Sequence, residues 1–193
     1  MKLSRTLIAT ALVSLAAAGA LYARQDPKEM EKMMALMAPN EHHKVLEFKV
    51  GKWNCHITHS MAPGMPAAES DCTCETKWIM GGRYLHDNVK GTVMGMPFEG
   101  MGISGYDNLK QKYVFTWVDS MGTGFSSGEG SWDAAKKTLS STGQTPDPMS
   151  GKYVATRSVE TQIDADNWKM ESYGPGPDGK EFLSMTIQFK RAK

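Results

Sequence analysis

The sequence predicts an all-β protein, an antiparallel up-and-down barrel of about ten strands behind a short N-terminal helical segment. Three observations carry this. From Trp53 onward apolar and polar residues alternate with period two, which is the pleat of a strand with one buried face. Turn residues interrupt that pattern at short, regular intervals, with no helical stretch between them. Strands joined by tight turns pair as antiparallel neighbours, and closing the sheet removes its exposed edges. A two-sheet sandwich is the alternative use of the same strands.

The elements follow in order. Lys2 and Arg5 precede an uncharged apolar run over residues 7–21, and the small residues Ala18, Gly19, Ala20 and Ala23 follow. This is the pattern of a secretory signal peptide, residues 1–23, cleaved after Ala20 or Ala23. An apolar run of about 15 residues falls short of the about 20 needed to span a bilayer. The mature chain is therefore expected to be exported, periplasmic or extracellular, with no integral membrane segment. Residues 24–50 form the helical segment. Met30, Met33, Met34 and Met37 share one helix face, Pro39 ends that helix, and Asn40 caps a second short one that stops at Gly51. Together the two helices would make a lid or plug.

Residues 51–193 form the barrel. Strands are expected at 52–60, 69–80, 83–92, 97–106, 112–120, 125–133, 137–145, 152–163, 168–174 and 180–190. In 112–120, Tyr113, Phe115, Trp117 and Asp119 share one face, and this aromatic face is the expected interior. Alternation also turns Trp53, Cys55, Cys72, Cys74 and Trp78 inward. Export favours disulfides, so Cys55 is expected to bond to either Cys72 or Cys74, leaving one thiol over.

Composition excludes several classes. Lys and Arg number 22 against 21 Asp and Glu, which gives no basic field for nucleic acid. Signal cleavage would leave 20 basic residues, a formal charge of −1. No nucleophile-elbow, zinc-protease, phosphate-loop or dinucleotide motif appears, so no catalytic residue and no cofactor is assigned.

Several stretches together resemble a known family. They are Pro39-Asn40-Glu41-His42-His43-Lys44-Val45-Leu46, Gly51-Lys52-Trp53, Gly81-Gly82-Arg83-Tyr84-Leu85, Pro97-Phe98-Glu99-Gly100, Gly105-Tyr106-Asp107 and Lys112 to Met121. Their order and spacing resemble the bacterial domain of unknown function fifteen seventy-nine, from about residue 38 to residue 190. A looser similarity concerns fold. A helical turn followed by G-x-W entering the first strand is similar to lipocalins and the wider calycin group. That similarity implies that Trp53 closes one barrel end, under Arg191 or Lys190. Some calycin-like barrels bind haem through a late His, and this chain has no His after His86.

The leading functional expectation is a barrel that binds a small apolar or amphipathic ligand. Trp53, Trp78, Tyr113, Phe115 and Trp117 are its expected walls. Arg83, Glu99 and Asp119, which lie in the family-like motifs, are its expected polar groups. One alternative is a periplasmic copper protein, since soft sulfur suits Cu(I) and the chain has 15 Met, with Met94, Met96 and Met101 as candidate ligands. Another is a cell-envelope interaction protein that docks through its Met-rich helix.

Overall fold

The computed structural model describes residues 26–193 apart from Met94. The expected signal peptide lies outside the described residues, as does the metal candidate Met94. The chain divides into two compact units at Ala38. In the first, helix α1 (Pro27–Met37) starts at Asp26, whose carboxylate accepts the Lys28 N–H at 2.9 Å, with Pro27 in the first turn. No residue of α1 is buried, and Met33, Met34 and Met37 are exposed.

The second unit, Pro39–Lys193, is the barrel with its closing segment. It opens with α2 (Glu41–Lys44) and a 3₁₀ turn (Val45–Lys49). Ten strands follow: β1 (Gly51–His59), β2 (Ala68–Ile79), β3 (Tyr84–Val93), β4 (Met96–Asp107), β5 (Lys112–Asp119), β6 (Ser126–Asp133), β7 (Thr138–Asp147), β8 (Lys152–Gln162), β9 (Asn167–Pro175) and β10 (Glu181–Arg191). Each strand pairs antiparallel with its sequence neighbours, and β1 pairs with β10, so the sheet closes on itself. The alternation read from the sequence decides which side faces in, because a register slip by one residue would expose the whole apolar face.

The two ends of the barrel differ. The end bearing the β2–β3, β4–β5, β6–β7 and β8–β9 turns is sealed by the chain entering from Pro39. Asn40 caps α2 by accepting the His42 N–H at 3.0 Å, and its own N–H donates to His43 Nδ1 at 3.1 Å. Burial, together with nearby His42 and Arg83, lowers the pKa of His43, which suits a neutral ring accepting that bond. Tyr113 Oη donates to the His42 carbonyl at 3.1 Å, and Trp78 Nε1 donates to Glu47 at 2.6 Å. Leu46 from the 3₁₀ turn is 1 % exposed among Leu85, Tyr113 and Leu139. Fully burying such a side chain contributes about 1.5–3 kcal/mol.

Trp53 is the keystone of this end. It is 1 % exposed, and its indole donates to the Lys49 carbonyl at 2.8 Å. The Arg191 guanidinium lies 4.2 Å above its ring. Of the two cations expected there, Arg191 is the one in place. It also pairs with Asp166 at 3.0 Å and donates to the Val50 carbonyl. Gly51 has φ +134°, and a Cβ there would stand 2.5 Å from Arg191 Nη1. The glycine of G-x-W therefore makes room for the cation that covers the tryptophan.

The expected disulfide requires correction. Register pairs Cys55 directly with Cys72, and all three cysteines are free and buried. Cys55 and Cys72 therefore face each other across the β1–β2 ladder as thiols. That contact and burial raise the pKa of Cys55, and the same contact lowers that of Cys72.

Candidate functional site

The exposure of the inward side chains differs along the barrel. Toward the sealed end Trp53, Leu85, Leu139, Trp168 and Phe189 are buried, with Trp78, Tyr106 and Trp132 half-buried beside them. Toward the other end Cys72 is still buried, but most of the large apolar side chains are not. Ile57, Phe98, Phe115, Trp117, Met170 and Ile187 all point inward and are only half-buried. Above them the inward positions become small or hydroxylic, including Ser126, Gly143, Thr156 and Ser172. These positions outline a cup: a floor of partly exposed apolar side chains packed on the buried core, with small or hydroxylic side chains beside it toward the mouth.

The mouth is ringed by exposed apolar side chains: Met61, Met65, Met121, Phe125 and Met149. The β1–β2, β3–β4 and β5–β6 connections at this end carry no charged residue, whereas every turn at the sealed end carries at least one. An exposed apolar rim around a concave opening marks a surface that meets something other than water.

Trp117 is the central feature of the cup. Its indole lies on β4 over Gly100 and Gly102, where a Cβ on Gly100 would overlap its Cζ2. Trp117 Nε1 donates to Asp119 Oδ2 at 2.8 Å, and Asp119 Oδ1 accepts the Met121 N–H at 2.9 Å. At the other edge of the ring, a Cβ on Gly102 would stand 3.2 Å from Trp117 Cε3 and 3.1 Å from Asp87 Oδ2. Asp87 and Trp117 thus converge on the same point of the wall. Asp87 Oδ1 accepts from Thr76 at 2.6 Å, and Thr76 is 1 % exposed.

Beneath the cup lies a buried ion pair. Lys49 Nζ stands 2.9 Å from Glu160 Oε2 and 5.4 Å from the Trp168 ring centroid. Burial works against the ammonium, but Glu160 and, behind it, Asp87 outweigh that penalty and raise the Lys49 pKa. Ser104 Oγ and Trp168 Nε1 are buried polar atoms with no hydrogen-bond partner among the described residues.

Of the expected walls, Phe115 and Trp117 line the cup, with the expected polar group Asp119 beside them, while Trp53, Trp78 and Tyr113 belong to the seal. The two other expected polar groups stand elsewhere. Glu99 is exposed on the outer wall, paired with Lys90 at 3.1 Å. Arg83 is exposed in the β2–β3 turn at the sealed end, donating to the Met80 carbonyl at 3.1 Å. Register places Tyr84 opposite Gly105 and Asp119 opposite Gly100, so the length of β4 separates Arg83 from Asp119. The metal candidates also part: Met96 is at the rim, and Met101 is exposed opposite Asn88 on the outer wall. Asp87, Glu160 and Lys49 had not been singled out. Asp87 was legible, since it alternates with Leu85 and Val89 on β3. Lys49 was not, because its burial depends on the closing segment.

The profile of a family described as Protein of unknown function (DUF1579) matches residues 38–191, the barrel unit almost end to end. No curated protein matches the sequence. Among solved structures, Rv2717c from M. tuberculosis is similar with a TM-score of 0.57 at 12% identity, covering 81% of this chain and 100% of that one. The S-type phycobiliprotein lyase CPES from Guillardia theta is similar with a TM-score of 0.51 at 10% identity, covering 80% of this chain and 99% of the other. At these identities the likeness is one of fold: a barrel of the lipocalin-like type.

Proposed function

The chain belongs to the DUF1579 family, and we propose that this member is an exported binding protein that holds a small apolar or amphipathic molecule in the open half of its barrel. One observation carries the reading: inward aromatic side chains remain open to solvent above a floor sealed by Trp53 and Leu46. Exposing Phe115 and Trp117 to water inside a lumen is unfavourable by about 25 cal/mol per Å² of apolar surface, a cost that an apolar ligand removes. Closed barrels of comparable strand number hold one small ligand in this way. The apolar side chains at the mouth support the same reading, because on the side away from the Asp178–Lys180 pair of the β9–β10 turn they offer such a molecule an apolar path. That a barrel of this fold serves as a phycobiliprotein lyase is compatible with it. Export rests on the N-terminal pattern of Lys2, Arg5 and the apolar run that follows.

The test is titration of the mature protein with the neutral apolar fluorophore N-phenyl-1-naphthylamine, read by quenching of tryptophan emission. Saturable quenching is expected, weakened about tenfold by Trp117→Ala, a loss equivalent to about 1.4 kcal/mol. Absence of saturable quenching, together with a bare polypeptide mass in native mass spectrometry of the exported protein, would overturn the proposal. Export is checked by the N-terminal residue of that protein, expected to be Leu21 or Arg24.

A second reading, docking to an envelope partner, is favoured by the exposed Met33 and Met34 on the apolar face of α1. Deleting residues 28–37 would then abolish partner cross-linking while the barrel stays folded.

A further inference from the structure

We infer that the ligand carries a cationic or hydrogen-bond-donating head, an amine rather than a carboxylate, and that this head lies against Trp117 between Asp87 and Asp119. The inference rests on the binding reading above and deepens it.

Charge balance inside the barrel carries the argument. Below the rim, the inward strand positions bring three carboxylates, Asp87, Asp119 and Glu160. The closing segment brings one cation, Lys49, which is committed to Glu160 at 2.9 Å. Arg191 faces in only at the seal, where Trp53 and Asp166 hold it. Lys152 has the inward parity but is exposed at the start of β8, at the mouth, opposite Asp147. The cup is therefore anionic, and an anionic head would enter it against two carboxylates with no cation to receive it.

The geometry adds a receptor for the opposite charge. A tryptophan face is the strongest aromatic partner for a cation, and Gly100 and Gly102 let the Trp117 ring lie flat against β4. Its two edges are flanked by carboxylates, Asp119 hydrogen-bonded at Nε1 and Asp87 beyond Cε3. Asp87 Oδ2 accepts no hydrogen bond from a described residue, since Thr76 occupies Oδ1. Ser104, one inward position further along β4 from Gly102, contributes a buried oxygen with no partner among the described residues. Two free acceptors beside an aromatic face suit an N–H donor.

The test compares dodecylamine, dodecanol and dodecanoate, each kept below its aggregation threshold, by isothermal calorimetry and tryptophan quenching. Dodecylamine is expected to bind about tenfold more tightly than dodecanol, and dodecanoate the most weakly; tenfold corresponds to about 1.4 kcal/mol. Asp119→Asn and Asp87→Asn should each lower the affinity for the amine several-fold and shrink its advantage over dodecanol. Asparagine retains one acceptor oxygen, for Trp117 or for Thr76, although at 119 it gives up the bond to the Met121 N–H; unaltered circular dichroism checks that both variants keep the fold. Dodecanol binding with no preference for the amine, or an amine affinity indifferent to both substitutions, would overturn the inference while leaving the binding reading intact. Failure of all three probes to bind would remove the binding reading and this inference with it.

Discussion

The two ends of this barrel are built from the same alternating strands and do opposite things with them. At the sealed end the inward positions carry Trp53, Leu85, Leu139 and Trp168, and a helical segment supplies Leu46 to fill what remains. At the open end the inward positions carry Trp117, Ser126, Thr156 and Ser172, and no element is laid across them within the barrel unit. The first arrangement excludes water and holds the fold together. The second leaves apolar surface unsatisfied, the physical condition for binding. Stability and function are thus separated along one axis.

That separation breaks most visibly at the seal. Trp53→Ala should destabilise the barrel by about 3–5 kcal/mol in urea unfolding, since it empties a site 1 % exposed and frees Arg191. Lys49→Ala should cost a similar amount, about 3–5 kcal/mol, because it strands Glu160 as a buried charge. Lys49→Met combined with Glu160→Gln should recover most of that loss, and an equally unstable double variant would show that the pair itself carries the energy.

The next effect is one of pH. Burial pushes the Cys74 thiol up from 9.0 to about 12 and the Tyr113 hydroxyl up from 10.0 to about 12. The unfolded chain therefore loses these protons first as pH rises. Stability should be full below about pH 9 and fall between about pH 9 and 12, by about 1.4 kcal/mol per pH unit for each group that has ionised only in the unfolded chain. Cys74→Ser should flatten the first part of that fall in chemical denaturation series, and an unchanged profile would place the effect elsewhere.

At the open end the stability effects shrink and the binding effects grow. Gly100→Ala should displace the Trp117 ring, shift its fluorescence and weaken probe binding several-fold, with a loss of about 1–3 kcal/mol from overpacking. Trp117→Ala should cost less stability than Trp53→Ala and far more binding. If the two tryptophan variants lost affinity equally, the division between seal and cup would be wrong.

Much of this was legible in the residues. Period-two alternation located all ten strands to within a residue or two, because a barrel wall with one wet and one dry face must write that pattern into its sequence. It also turned the face of Tyr113, Phe115, Trp117 and Asp119 inward correctly, and the G-x-W glycine with a late arginine announced the seal. The site was less legible. Trp53, Trp78 and Tyr113 have the same inward parity as Phe115 and Trp117, and parity says nothing about height along the barrel. Glu99 was grouped with Asp119 by motif, yet its odd position on β4 points it outward to Lys90. The cysteines were placed on the right face, but the register that sets Cys55 against Cys72 as thiols is a property of the pairing.

The sequence by itself determined the strands, their faces and the residues able to close an end, because these follow from local alternation and turn chemistry. Tertiary structure alone decided which end is closed, since that depends on where residues 39–50 pack after the sheet has curled. It alone also gathered Asp87, Trp117 and Asp119, residues of two strands, around the glycines of a third that stands between them. Neighbouring positions in a closed sheet are set by register and shear, which are sums over all ten strands and belong to no single stretch of the chain.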